Sequence, residues 1–116
     1  MNKQFYFTLI AAHVQHVFNP PRHWKRGRQR KSNYQARLAF FWLASELSHL
    51  CEPKAHTADL SAFIGPIDRS TAQCHLKQAG ATKTSDKVYK RRLDEARQRV
   101  EAAFSMVMAD DTKLAE

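Results

Sequence analysis

The sequence predicts an all-α fold, in one domain, with a helix-turn-helix at its centre. Apolar residues recur at helical spacing in successive segments that together cover most of the chain. Two short segments of this kind flank Gly65 and Pro66, which is the pattern of two helices joined by a glycine-containing turn. The length of 116 residues suits a single domain. We assign residues 1–108 to this domain, with the helix-turn-helix at residues 58–79 and a frayed tail at residues 109–116.

The first helix is predicted at residues 4–18, where an apolar face is followed by two prolines. Four apolar residues fall at positions i, i+4, i+7 and i+8, namely Ile10, Val14, Val17 and Phe18. Pro20 and Pro21 end the helix, because proline has no amide hydrogen and restricts the residue before it.

The chain is strongly basic, and its first part carries one sign of charge. The net charge is +8, the sequence pI is about 9.9, and no Asp or Glu precedes Glu46. This balance favours a polyanionic partner, nucleic acid before an acidic membrane, and the alternative is an ordinary basic surface. Residues 22–33 form a basic segment whose predicted use is phosphate contact. The predicted phosphate contacts are Lys25, Arg26, Arg28, Arg30, Lys31 and, further along the chain, Lys77.

The central helix is predicted at residues 33–50. Its apolar residues form one core-facing stripe, namely Ala36, Ala39, Phe40, Leu43, Leu47 and Leu50. Arg37 lies in the first turn of this helix, next to the basic segment, and we expect it to contact DNA.

The next two helices, at residues 58–64 and 68–80, carry the predicted recognition site. In a helix-turn-helix, the helix after the turn enters the major groove and its first residues contact base edges. Those residues here are Asp68, Arg69, Ser70 and Thr71. Asp68 also suits a plain N-cap, and both roles are compatible because an aspartate can accept from cytosine N4. Gly80 is the residue type that commonly follows the end of a helix, so we place the end there.

The last helix is predicted at residues 85–108. Its apolar stripe consists of Tyr89, Leu93, Ala96, Val100, Ala103 and Val107. The stripe either packs on the domain or pairs with a second copy of the chain as a homodimer. The outer face carries both signs of charge, and we interpret it as solvated.

The sequence carries no motif for catalysis, cofactor binding or metal binding. A phosphate loop of the form G-x-x-x-x-G-K-[ST] and a G-x-S-x-G are both absent, so we expect neither an enzyme nor a cofactor. Cys51 and Cys74 are too few for a disulfide framework and suggest a reducing compartment. His49, Cys51 and His56 are close in sequence, but their spacing matches no common zinc module. Without a membrane-spanning run or a clear signal-peptide cleavage site, a cytoplasmic, nucleoid-associated protein is expected.

Two stretches resemble the C-terminal DNA-binding domain of the bacterial replication initiator DnaA. That family carries P-R-Q-I-A-M-Y-L-x-R-E-L on its central helix, and residues 36–47 read A-R-L-A-F-F-W-L-A-S-E-L. The signature of the family is G-G-R-D-H-T-T-V-L-H-A, which residues 64–74 echo with I-G-P-I-D-R-S-T-A-Q-C. The family's preceding helix and basic loop look like residues 14–31, so the resemblance covers residues 10–105.

The resemblance implies a Trp-repressor-like helical domain, with a basic loop on phosphates and a recognition helix in the major groove. It also implies that Arg37 reaches into the adjacent minor groove, and that residues 68–71 match the family's D-H-T-T. The 116 residues contain no nucleotide-hydrolysing module, so ATP-dependent origin melting does not carry over. Arg69 replaces the family histidine and favours guanine O6 and N7, which predicts a different target. Pro66 and Ile67 replace a glycine and an arginine, which removes a basic contact at the turn.

The sequence therefore predicts sequence-specific binding of double-stranded DNA, in replication control or transcription regulation. One alternative is an interaction module that binds a replication or transcription protein, motivated by the amphipathic last helix. A second is a nuclease accessory or a metalloprotein that uses His49, Cys51 and His56.

Overall fold

The computed structural model describes residues 2–20, 31–51, 56–64 and 69–115. All secondary-structure elements in these ranges are helices, which confirms the predicted all-α fold. The helices are α1 (Lys3–Phe18), α2 (Lys31–Glu46), α3 (Thr57–Ile64), α4 (Arg69–Ser85) and α5 (Lys87–Ala115), with a 3-10 turn at Ser48–Leu50 after α2.

Both ends of α1 are fixed by asparagines. The Asn2 side chain accepts a hydrogen bond from the amide of Phe5 at 2.8 Å, which satisfies one of the donors left open in the first turn. Asn19 adopts the left-handed conformation, with φ 47° and ψ 52°, and its amide donates to the Gln15 carbonyl. Asparagine tolerates this conformation better than most residues, and Pro20 follows it. The predicted end of the helix at Phe18 is therefore confirmed.

The predicted end of α4 at Gly80 is wrong, because the helix continues to Ser85. Gly80 lies within the helix against α2, where an added Cβ would sit 3.5 Å from a ring carbon of Trp42. The amine of Lys83 lies 5.2 Å from the centroid of the same ring. Tertiary packing of this kind supplies most of the stability of a helix in a protein, and here it carries α4 past its glycine. The last helix likewise continues beyond its predicted end at residue 108, to Ala115.

Helix α2 is the central helix, and it is in contact with all four others. Its predicted stripe is buried except for Leu50, which is half-buried in the 3-10 turn. Burial also covers the other sides of the helix at Arg37, Leu38, Phe41 and Ala44. A helix that is apolar nearly all round belongs inside a bundle. The predicted stripe therefore covered only part of the buried surface of α2.

Helices α1 and α2 run in opposite directions along α5. The ring of Tyr6 stacks on that of Phe104 at 5.5 Å, while Phe18 at the other end of α1 meets Tyr89 at 5.8 Å. These two contacts make α1 antiparallel to α5. Two contacts at the same offset of 51 residues, Gln35 with Asp86 and Glu46 with Arg97, make α2 parallel to α5.

The apolar stripe of α5 packs within the chain. Tyr89, Leu93, Ala96 and Val100 are buried, and α1 covers part of this face. Of the two predicted uses of the stripe, packing on the domain is the one observed for these four residues.

Helix α3 closes the aromatic part of the core. Phe63 lies 5.4 Å from both Phe7 of α1 and Phe40 of α2, measured between ring centroids. Leu60 and Ile64 on the same helix are buried beside them. These contacts hold α3 across the beginning of α1 and the middle of α2, from where the chain continues to α4.

Candidate nucleic-acid interface

The predicted recognition residues lie at the beginning of α4. Helix α3 ends at Ile64 and α4 begins at Arg69, so the connection is residues 65–68. Asp68 lies outside the described residues. Arg69, Ser70 and Thr71 form the first turn of α4, of which the structure describes the backbone. The two helices are in contact with one another, as the predicted motif requires.

One face of α4 is held firmly against α2. Ala72 and Ala79 are fully buried, and the His75 ring, which is 6% exposed, lies between two aromatic rings of α2. Its centroid is 5.5 Å from that of Tyr34 and 5.3 Å from that of Phe41. This packing fixes the rotation of α4 about its own axis, and therefore fixes which side chains face outward.

The opposite face of α4 is exposed and contains no acid. The exposed residues of α4 after the first turn are Gln73, Cys74, Lys77, Gln78, Ala81, Thr84 and Ser85. No Asp or Glu occurs anywhere from Arg69 to Ser85. Lys77, predicted to contact a phosphate, is exposed on this face. The surface can therefore approach a polyanion without like-charge repulsion.

Arg37, predicted to reach a minor groove, is buried between helices. Only 8% of its surface is exposed, and burial lowers the pKa of its guanidinium. It lies one turn after Tyr34 and one turn before Phe41, the two residues that flank His75. In this arrangement the side chain contacts protein, and a base contact by Arg37 would require it to swing outward. That contact stays a prediction.

The basic segment connects two points at one end of the bundle. Lys25, Arg26, Arg28 and Arg30 lie outside the described residues, and Lys31 is the first residue of α2, described for its backbone. The segment runs from the end of α1 to the start of α2. Both points lie beside the start of α5, as the ring pair of Phe18 and Tyr89 and the hydrogen bond from Gln35 to Asp86 show. We call this end of the bundle the basic end.

Sequence reasoning missed four cations at this basic end. Lys87, Lys90, Arg91 and Arg92 are exposed on the first turns of α5, ahead of its first acid, Asp94. In the sequence they belong to the mixed-sign face of the whole helix. The order of charges along the helix could have separated them, but their position beside the end of α1 and the start of α2 depends on the tertiary structure.

The ion pairs lie away from the basic end. Among the described residues they join Lys3 to Asp59 at 3.2 Å, and Arg97 both to Glu101 at 2.9 Å and to Glu46. The amide of His56 and, to a lesser degree, Lys3 lower the pKa of Asp59 below its ordinary range. The first pair lies near the beginning of α1, and the other two share Arg97, which follows the cluster of cations on α5 by about one and a half turns. Among the described residues, the ion pairs therefore do not include the cations at the start of α5.

The described residues offer little support for a metal or membrane site. Within them no group of three or more His, Cys, Asp or Glu side chains is arranged to hold a metal ion. Cys51 is 2% exposed, and burial raises the pKa of its thiol, which disfavours the thiolate that a metal ligand must supply. His49 and His56 are both exposed. No helix in the described ranges combines the length and the apolar character needed to cross a membrane.

Comparison with known proteins adds no relative. No family model matches the chain, and neither the curated proteins nor the solved structures give a significant match.

Proposed function

We propose that this chain binds double-stranded DNA sequence-specifically through α3 and α4, with α4 in the major groove. The observation that carries the proposal is the outward face of α4, which is free of acids and is held by its opposite face against α2. A rigidly held helix can present its first side chains to base edges in one register. The DnaA-like motifs of the sequence suggest a role in replication control or transcription regulation, and a nucleoid-associated location in the cytoplasm.

In this proposal, different residues contact the bases and the phosphates. Asp68, Arg69, Ser70 and Thr71 face the bases, and Arg37 joins them if its side chain moves outward on binding. The basic segment and Lys77 contact phosphates. Base contacts specify the sequence, whereas phosphate contacts position the protein and depend on salt.

The first experiment compares a labelled duplex that carries a DnaA-type box with a scrambled duplex across a salt series. Preference for the box that survives rising salt is expected. Equal binding to both duplexes, lost steeply with salt, would leave phosphate contact alone and contradict sequence reading of this box by α4.

Arg69→Ala tests the recognition helix directly. We expect a loss of about 1–3 kcal/mol on the preferred duplex with relaxed specificity at one position, because an arginine that reads guanine makes a bidentate contact. The matched control is Arg99→Ala, which removes an exposed arginine from α5. Lys31→Ala or Arg28→Ala should weaken binding to all sequences and flatten the salt dependence. If Arg69→Ala binds every duplex as tightly as the parent does, the assignment of α4 is wrong.

A second candidate function is a protein-interaction module. It is favoured by the end of α5, which continues to Ala115 and exposes 71% of Met106. An exposed methionine suits an adaptable apolar contact, with a second copy of the chain or with a replication or transcription protein. Capture of a defined replication protein that persists after nuclease treatment, with no duplex shift, would favour this function over DNA binding.

A further inference from the structure

The first turns of α5 expose a cluster of cations. Lys87, Lys90 and Arg91 occupy the beginning of the helix, where the macrodipole is positive and cations are disfavoured. Lys87 and Arg91 are also four residues apart, a spacing that places like charges side by side on one face. No acidic residue occupies the first turn.

These cations are not used in ion pairs within the described part of the chain. The three pairs there involve Lys3 and Arg97, and none involves Lys87, Lys90, Arg91 or Arg92. Asp86 caps α5, and its two carboxylate oxygens accept from the amide of Tyr89 at 3.0 Å and from the side chain of Gln35 at 3.3 Å. Asp94 and Glu95 line the same surface as Lys87, Lys90 and Arg91, and they border the cationic patch of residues 87–92.

We infer that residues 87–92 form a second phosphate-contacting surface, which binds the DNA backbone beside the site that α4 reads. The patch lies at the basic end, next to both points from which the basic segment departs. Phosphates can neutralise the exposed cations at the start of α5, and each neutralised phosphate releases counterions.

The dimensions of α4 allow both contacts on one duplex. Helix α4 has 17 residues, so its first turn and the start of α5 are about 26 Å apart along its axis. One turn of B-form DNA is about 34 Å long. Bases read at the start of α4 and phosphates held at the start of α5 consequently fall within a single turn of the same molecule.

This inference rests on the proposed function for the identity of the partner, which is DNA, but a different measurement tests it. Sequence preference reports the contacts of α4, whereas the slope of log K against log salt reports the number of phosphates neutralised. The experiment therefore measures both quantities for each variant, on the box duplex and on the scrambled duplex, by anisotropy over a salt series.

The decisive comparison is between two variants with the same change in net charge. Lys87→Gln/Arg91→Gln removes two cations from the patch, and Arg99→Glu changes the charge equally at an exposed position two turns further along α5. In the double variant we expect the slope of log K against log salt to be smaller in magnitude by about 1.8. We also expect affinity for both duplexes to fall by about tenfold or more, with the preference between the duplexes unchanged. The control should keep the slope of the parent.

Further variants and outcomes separate the two proposals. The charge-preserving exchange Lys87→Arg/Arg91→Lys should restore the slope, and thermal unfolding should show the double variant at least as stable as the parent. An unchanged slope in the double variant, or an equal decrease in Arg99→Glu, would overturn the inference and leave sequence reading by α4 intact. A lowered slope without any preference between duplexes would support the inference while contradicting recognition of that box. Binding of the parent to anionic vesicles but to neither duplex would overturn it in favour of a membrane surface.

Discussion

At the scale of single residues, two fully buried tyrosines differ in what their hydroxyl groups contact. The Tyr6 hydroxyl donates to the Ala44 carbonyl at 2.7 Å, which links α1 to the end of α2. The Tyr89 hydroxyl has no hydrogen-bond partner among the described residues. Burial raises the pKa of both phenols, so both remain protonated at physiological pH. The difference between them is therefore one hydrogen bond.

Removal of each hydroxyl should change the free energy of unfolding by a different amount. Tyr6→Phe leaves the Ala44 carbonyl without its donor, and we expect it to lower the free energy of unfolding by about 0.5–1.5 kcal/mol. Tyr89→Phe removes a buried group without a described partner and should be neutral or slightly stabilising. Urea unfolding of both variants and the parent measures the difference. A loss for Tyr89→Phe as large as that for Tyr6→Phe would contradict this account.

At the scale of helices, α4 shows tertiary contacts overriding a local stop signal. A glycine in mid-helix costs about 1 kcal/mol relative to alanine, yet α4 continues for another turn beyond Gly80. Trp42 packs on the glycine, and Asp86 then caps α5 one residue after α4 ends. The start of α5 therefore lies at the basic end.

Gly80→Ala should raise the free energy of unfolding by up to about 1 kcal/mol. The gain comes from helix propensity, and the added Cβ would lie 3.5 Å from the Trp42 ring, an ordinary van der Waals contact. The matched control is Ala81→Gly at the next, exposed position, which should lower stability by about the same amount. Chemical denaturation monitored by circular dichroism gives both values. Destabilisation by Gly80→Ala would show that α2 and α4 need the glycine for their close approach.

At the scale of the whole molecule, the packing of α1 beside α5 is expected to make stability depend on pH. His13 of α1 is partly buried beside the positive charge of Arg99 on α5. Burial first, and then Arg99 and His16, lower its pKa from the ordinary value of 6.5. As the pH falls, the His13 side chain consequently takes up a proton at a higher pH in the unfolded chain than in the folded protein. This contribution to stability is present above pH 6.5 and is lost as the pH falls below it.

We therefore expect the free energy of unfolding to fall on acidification from pH 7 to pH 5, and to fall less in His13→Gln. Arg99→Gln should also reduce the fall, because it removes the cation that disfavours protonation of His13. Urea unfolding at several pH values measures these slopes. The same slope in His13→Gln as in the parent would show that the pH dependence has another origin.

The sequence by itself determined the helices, because helical periodicity is a local property of the chain. The apolar residues of α1 and α5 that were assigned to the core from spacing alone are buried or half-buried. The end of α1 at Phe18 followed from local signals as well, since Asn19 and Pro20 act on their immediate neighbours. Arg69, Ser70 and Thr71 lie in the first turn of α4, as the short connection after α3 predicted.

Only the tertiary structure decided which surfaces lie together. Arg37 is buried although its place beside the basic segment in the sequence favoured exposure, and the continuation of α4 past Gly80 depends on Trp42, which is distant in sequence. The placement of the α5 cations beside the end of α1 and the start of α2 rests on contacts between residues 51 and 71 positions apart, such as Gln35 with Asp86 and Phe18 with Tyr89. The physical reason is that a periodic pattern reveals that a face is apolar or charged, whereas its neighbours are set by the packing of distant segments.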